Sequence, residues 1–185
     1  QPNFHVRIHE NTPKAFYDEV IRINFGAGSA PAMYNDETII ESMMNVGYSL
    51  EDARNYVAIG CVEPTAPGKS LASTDAGMYN MPLAVEMALN EGKQFHSSKQ
   101  IGAKTPPVSE MRSMDDFVAA YDTQVKHQLG KLRRDLEAIE RFHAEHHPTP
   151  LTSSMVEGCV EQGVCSTSGG AIYNFSGIQG CGMAV

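Results

Sequence analysis

The sequence predicts an α/β chain, mostly helical, with one long cysteine-bearing loop. Three observations set that expectation. Apolar residues recur at three- and four-residue spacing through most of the chain, a short stretch at residues 4–9 alternates apolar with polar, and between residues 60 and 77 all periodicity stops.

In chain order, Phe4, Val6 and Ile8 alternate with polar residues, which suits a half-buried strand. Thr12-Pro13 supplies an N-cap and an N1 proline for a helix through Phe16, Val20, Ile21 and Ile23, ending before Gly26 and Gly28. A second helix is predicted from Asp36 through Met43 and Met44 to a stop at Gly47. Ser49-Leu50-Glu51-Asp52 has the form of a capping box and opens a third, short helix. It runs into the apolar Val57-Ala58-Ile59, followed at once by Gly60-Cys61.

Residues 60–77 are rich in Gly, Pro, Thr, Ser and Ala, so a long loop is expected, and loops of that length are often functional. Leu83, Val85, Met87, Ala88 and Leu89 resume regular structure, ended by Gly92, and a Pro106-Pro107 linker follows. The longest helix is predicted from about Met114 to His146 with Ser113 as N-cap. Its stripe of Val125, Leu129, Leu132, Leu136, Ile139 and His143 is narrow but lasts only about three heptads, which favours packing on a larger body over a coiled coil. A last helix is expected over about residues 152–162, stopped by Gly163, before a glycine-rich exit.

Hydrophobic residues make up 42% and charged residues 19%, enough for a packed core. A formal net charge of -8 argues against nucleic acid or an anionic membrane bound through a basic face. No apolar run approaches the ~20 residues of a membrane-spanning helix, and no signal peptide is recognised, so a cytoplasmic protein is expected. The chain opens on Gln1 and stops at Val185 within an apolar run, which leads us to expect a segment of a larger protein.

The four cysteines form no C-x-x-C pair, and their default reading is free thiols acting as small hydrophobes. His143-Ala144-Glu145-His146-His147 has the wrong order for a His-Glu-x-x-His zinc site and suits a helix C-terminus, so no metal is expected. His5 and His9 flank a strand without an identifiable partner. Gly68-Lys69-Ser70 matches the end of a P-loop, but Glu63 stands where its first glycine belongs, and nucleotide binding is rejected.

Gly60-Cys61-Val62-Glu63-Pro64 remains. A cysteine at a strand end is well placed to react, and Glu63 two residues on can leave an extended loop on the same side. A carboxylate beside a thiol raises its pKa and disfavours an ionic nucleophile. A hydrogen-atom carrier has no such handicap, since a thiyl radical is neutral, and the carboxylate then serves as base toward a substrate hydroxyl.

That pentapeptide, with Pro67-Gly68-Lys69 after it, resembles the thiyl-loop signature of glycyl radical enzymes related to pyruvate formate-lyase. Val6-Arg7-Ile8-His9, Asn35-Asp36-Glu37, residues 47–54 and residues 169–177 extend the resemblance across essentially the whole chain. It implies a fragment of a ten-stranded β/α barrel, with Cys61 as thiyl carrier and Glu63 as base. Formate acetyltransferases carry two adjacent cysteines, whereas Gly60 precedes a single Cys61 here. The Cys-x-Glu pair instead resembles the eliminating branch: choline trimethylamine-lyase, the glycerol, propanediol and hydroxyproline dehydratases, and some decarboxylases nearby.

Asp75 falls where the diol dehydratases bind substrate hydroxyls, and Thr74 where the choline enzyme carries threonine and the dehydratases carry histidine. Thr74 therefore tilts the expectation toward choline cleavage to trimethylamine and acetaldehyde. The alternative is that Thr74 and Asp75 cap the following helix. The resemblance also implies a radical-SAM activase, a homodimer and, for this branch, a bacterial microcompartment as one setting. The family's Arg-Val-x-Gly radical loop is not found in these residues. Residues 1–185 are thus expected to form a partial pyruvate formate-lyase-like domain without the glycyl radical domain, binding no cofactor and inert alone.

Overall fold

The computed structural model describes residues 4–28, 30–71 and 73–182. In chain order it contains β1 (His5–Ile8), α1 (Lys14–Ala27), β2 (Ala32–Asn35), α2 (Asp36–Asn45), α3 (Leu50–Arg54), β3 (Val57–Ile59), β4 (Glu63–Thr65), β5 (Ser73–Asn80), α4 (Met81–Leu89), α5 (Met114–His146), α6 (Pro150–Ser153), α7 (Cys159–Gln162) and β6 (Ser176–Cys181). About half the chain is helical, and the named strands pair only in twos. Two compact units are present: residues 1–74 with 148–175, and residues 75–147 with 176–185.

In the first unit β1 and β2 run parallel, from His5 opposite Ala32 to Ile8 opposite Asn35, with α1 as the crossover that parallel strands require. Thr12 does not cap α1 as expected. Its hydroxyl accepts the His9 N–H at 2.9 Å and closes a turn, so the helix starts after Pro13 and runs on through Gly26 to Gly28. The caps of α2 and α3 are those of side chains that outcompete water for the first free N–H groups: Asn35 Oδ1 accepts from Thr38 at 2.9 Å, and Ser49 Oγ from Asp52 at 3.1 Å. Tyr34, Met43, Tyr48, Ala53, Tyr56 and Ala66 form the core.

The expected loop over residues 60–77 is partly strand, because β4 folds back on β3 and β5 begins at Ser73. The expected single helix over 152–162 is two short ones. Gly158 breaks it: φ is +91°, and a side chain there would lie 2.8 Å from the Gly170 carbonyl oxygen. The neighbouring Glu157 N–H turns outward to the Gly68 carbonyl at 2.8 Å.

In the second unit α4 packs on α5 through Ala84, Met87 and Ala88, all fully buried. Ser113 and Asp116 cap α5 reciprocally, at 3.2 and 2.9 Å. The apolar stripe is buried or half-buried as far as Leu136, whereas Ile139 and His143 are exposed. Gln124 is wholly buried on the same helix. It accepts from the Ala103 N–H at 3.0 Å and donates to the Ala103 carbonyl at 2.7 Å, pinning the linker to α5. The glycine-rich exit forms β6, paired with β5. Among the described residues no helix is long and apolar enough to cross a membrane.

Candidate active site

Strands β3 and β4 form an antiparallel hairpin in which Ile59 faces Glu63 across the three-residue turn Gly60-Cys61-Val62. The turn forms because Gly60 takes φ +57°, a left-handed conformation that costs glycine little. A methyl group at that position would come within 2.7 Å of Glu63 Oε2. The close approach has a purpose in the local bonding. Glu63 Oε2 accepts from the backbone N–H of Cys61 at 2.8 Å and of Val62 at 2.9 Å. The charged acceptor makes these stronger than ordinary turn bonds.

From the other side, His5 Nε2 lies 2.5 Å from the Cys61 carbonyl oxygen. A carbonyl only accepts, so His5 donates, and its Nε2 carries the proton. The backbone of Cys61 is thus held at both N–H and C=O. Its side chain is exposed, and its sulfur has no hydrogen bond among the described residues. Glu63, by contrast, is only 8% exposed. The two side chains do not leave the loop together, as their spacing suggested, because the carboxylate curls back under the turn. Tyr34 and Thr65 bring two buried hydroxyls with no hydrogen-bond partner among the described residues. Burial pushes the Tyr34 phenol up, and the nearby negative charge of Glu63 adds to the effect.

Two polar clusters tie this hairpin to its surroundings. Arg7 on β1 makes a bidentate pair with Asp36, at 2.8 Å to each oxygen. It also donates to the carbonyls of Arg54 at 2.9 Å and Tyr56 at 3.0 Å, just before β3. Tyr56 completes the cluster by donating to Asp36 at 2.7 Å. Beyond β4, Lys69 and Tyr173 each approach Asp52 at 2.6 Å. The Lys69 ammonium, then the Tyr173 hydroxyl, hold the Asp52 carboxyl down at about 2.

The remaining predicted residues are Thr74 and Asp75. Thr74 and Asp75 are consecutive on β5, so they point to opposite faces, Thr74 half-buried and Asp75 exposed. Neither caps α4: Asn80 does, accepting from Leu83 at 3.1 Å. His143, His146 and His147 gather round the Phe142 ring, with centroids 4.6 to 6.5 Å away. No group of three or more His, Cys, Asp or Glu able to hold a metal occurs among the described residues. His5 and His9 do have partners, since His9 Nδ1 accepts from Asn11 at 3.2 Å. The role of His5 was not legible because its partner, a backbone carbonyl, lies 56 residues away.

The chain matches the family model described as pyruvate formate lyase-like over residues 1–185. It belongs to the pyruvate formate lyase-like family. As a member, it is 36% identical over 182 residues to (2S)-3-sulfopropanediol dehydratase of Klebsiella oxytoca, covering 97% of this chain and 22% of that protein. It superposes on the glycerol-bound, B12-independent glycerol dehydratase of Clostridium butyricum with a TM-score of 0.81 and 41% identity, covering 97% of this chain and 23% of that one. On a glycyl radical enzyme of Archaeoglobus fulgidus the TM-score is 0.83 at 36% identity, covering 100% of this chain and 23% of that one. This pyruvate formate lyase-like chain is therefore an α/β portion of the glycyl radical enzyme fold, spanning less than a quarter of these relatives.

Proposed function

We propose that the protein carrying this chain is a glycyl radical lyase that removes a leaving group from a small hydroxylated substrate. The observation that carries the reading is the Cys61 turn: an exposed thiol on a backbone hydrogen-bonded at both N–H and C=O, its sulfur without a hydrogen bond among the described residues, with a buried carboxylate two residues on. A protein-stored glycyl radical, installed by a radical-SAM activase, supplies the hydrogen-atom vacancy that makes Cys61 a thiyl. Cys61 then takes a hydrogen atom from the carbon bearing the substrate hydroxyl. Glu63 accepts the hydroxyl proton, which raises electron density on that carbon and drives the adjacent bond to break. Cys61 finally returns the hydrogen atom to the product radical, so the thiol is regenerated. A bare sulfur suits this work, because hydrogen-bond donors would favour an ionic thiolate over a neutral radical.

Diol dehydration is the reading supported by the relatives, two of which are by name a glycerol and a sulfopropanediol dehydratase. Asp75 would then hold substrate hydroxyls. Thr74 favours a second reading, C–N cleavage of choline, in which it takes the place of the dehydratases' histidine. A formate acetyltransferase-like reaction lacks its adjacent cysteine pair. The radical-bearing domain would lie outside these residues, the assembly would be a homodimer, and the setting would be the cytoplasm or a bacterial microcompartment.

The test uses the full-length protein, activated anaerobically and offered choline, glycerol and propane-1,2-diol together, with Cys61→Ala as control. An aldehyde from a diol that vanishes in the control establishes the dehydratase. Cys61-dependent trimethylamine establishes the choline reading. Product formed equally by the control sinks both.

A further inference from the structure

The strands of the first unit pair in separate sheets, β1 with β2 and β3 with β4, and side chains of β1 reach across to the hairpin that carries Cys61. Two of them, His5 and Arg7, stand two residues apart on β1 and therefore share one face of the strand. His5 meets the tip of the hairpin at the Cys61 carbonyl. Arg7 meets its entrance. The guanidinium donates to the carbonyls of Arg54 at 2.9 Å and Tyr56 at 3.0 Å, directly ahead of β3, which starts at Val57.

The same guanidinium is held from two further directions. Its Nε and Nη2 each lie 2.8 Å from one oxygen of Asp36, the residue that opens α2. Its central carbon stands 3.9 Å from the centroid of the Tyr56 ring, and Tyr56 is only 1% exposed. The Tyr56 hydroxyl donates in turn to Asp36 at 2.7 Å. One planar group thus joins β1, the start of α2 and the entrance to β3.

We propose that Arg7 is a positioning residue for the chemistry of Cys61: its guanidinium fixes the strand that delivers the turn, while Glu63 and His5 fix Cys61 within it. The proposal rests on the lyase reading above. Arg7 bonds to the backbone before β3 and acts through that strand, not on the reacting atoms. Strand β3 is three residues long, so little chain separates Tyr56 from Gly60 to absorb a displacement. Passing a hydrogen atom needs sulfur and carbon in contact, and a shift of about 1 Å at a reacting centre costs about 100-fold in rate. The fork matters here as much as the charge. Lysine could neutralise Asp36, but a compact ammonium cannot span both carboxylate oxygens and two carbonyls in one plane.

The experiment compares the full-length protein with Arg7→Lys and Arg7→Ala, activated anaerobically, with the glycyl radical counted by electron paramagnetic resonance. Arg7→Lys should reach the parent's radical content, yet turn over about 30- to 100-fold more slowly per radical. Arg7→Ala should be as slow, and millimolar guanidinium ion should restore part of its turnover where methylammonium does not. Amide hydrogen exchange, which needs no turnover, should quicken about tenfold over residues 57–62 in both variants and stay unchanged in α1 and α6. A parent without any Cys61-dependent product overturns the lyase reading, and this one with it. Given an active parent, turnover per radical within threefold in Arg7→Lys overturns the role of Arg7. Exchange that quickens throughout the first unit, with no selective rescue by guanidinium, also overturns it, since Arg7 would then stabilise the fold in general.

Discussion

The first unit treats two of its thiols in opposite ways. At the Cys61 turn the hydrogen bonds to Cys61 go to its backbone: Glu63 accepts from two N–H groups, His5 donates to the carbonyl, and the sulfur has no hydrogen bond among the described residues. At Cys165 the sulfur itself has partners: the Thr149 N–H donates to it at 3.1 Å, and the hydroxyls of Ser153 and Thr167 lie 3.2 Å away and that of Thr149 3.6 Å away. Hydrogen bonds to sulfur stabilise the anion, led by the one from Ser153, and bring the Cys165 thiol down to about 5. The Cys61 sulfur, without such a bond among the described residues and on a backbone held at both N–H and C=O, suits the neutral hydrogen-atom transfer proposed for it. The residue type alone says nothing of this difference, which lies wholly in what each neighbourhood donates.

The sharpest test of that contrast is Glu63→Gln in the full-length protein. Glutamine keeps an oxygen that accepts from Cys61 and Val62, so the turn survives, but it cannot take a substrate proton. Turnover should fall by about 100-fold or more, the usual weight of a general base. Circular dichroism and the rate of Cys61 alkylation should not change. Turnover within threefold of the parent would reduce Glu63 to a turn-builder.

Gly60→Ala tests the turn and not the base. Its left-handed φ and the 2.7 Å approach to Glu63 Oε2 should together cost about 1–3 kcal/mol, measured by urea unfolding. Gly163 closes α7 with φ +65° and open space where a side chain would go. Gly163→Ala should therefore cost only the backbone strain, about 1 kcal/mol. Equal losses at the two glycines would mean that the Glu63 contact is not what constrains Gly60.

Much of this was legible in the sequence where the signal is local. Ser49, Asn35 and Ser113 act within three residues of themselves, and the helices they start stand where capping and periodicity put them. What escaped depends on partners far along the chain. Strand β2 exists because β1 lies beside it, and β6 reads as a glycine-rich exit until β5 pairs with it. The break between α6 and α7 follows from the closeness of Gly170 to Gly158, not from helix propensity. At the site, the spacing of Cys61 and Glu63 was visible, yet not the recoil of the carboxylate onto the turn. The polar surroundings of Cys165 were invisible because a cysteine with no C-x-x-C partner reads as a small hydrophobe, and only the fold gathers Thr149, Ser153 and Thr167 round it.

Lys69→Met reaches the turn through the segment that follows β4. Folding lowers the Asp52 pKa, so this carboxylate's contribution to stability is complete above its unfolded value near 4 and is lost as pH falls toward about 2. Removing the ammonium, which holds the Asp52 pKa down most, leaves Tyr173 and Ser49 to hold the charge. The acid-unfolding midpoint should move to higher pH, while stability at pH 7 changes less than in Gly60→Ala. An unmoved midpoint would show that Lys69 does not anchor Asp52 in solution.

The smallest expected effect concerns His5, and it decides whether the turn is held from both sides. His5→Leu removes the donor to the Cys61 carbonyl but keeps an apolar body beside Tyr34, whose ring meets the imidazole edge at 5.5 Å. The loss is that of one hydrogen bond, about 0.5–1.5 kcal/mol, since water can solvate the freed carbonyl. Turnover should fall less than tenfold, because Glu63 still fixes the other side of Cys61. His5→Gln carries an amide N–H at nearly the same reach and should recover most of the rate. Recovery in Gln but not in Leu assigns the effect to the donated proton. Equal turnover in both variants would leave Glu63 alone in charge of where the Cys61 sulfur stands.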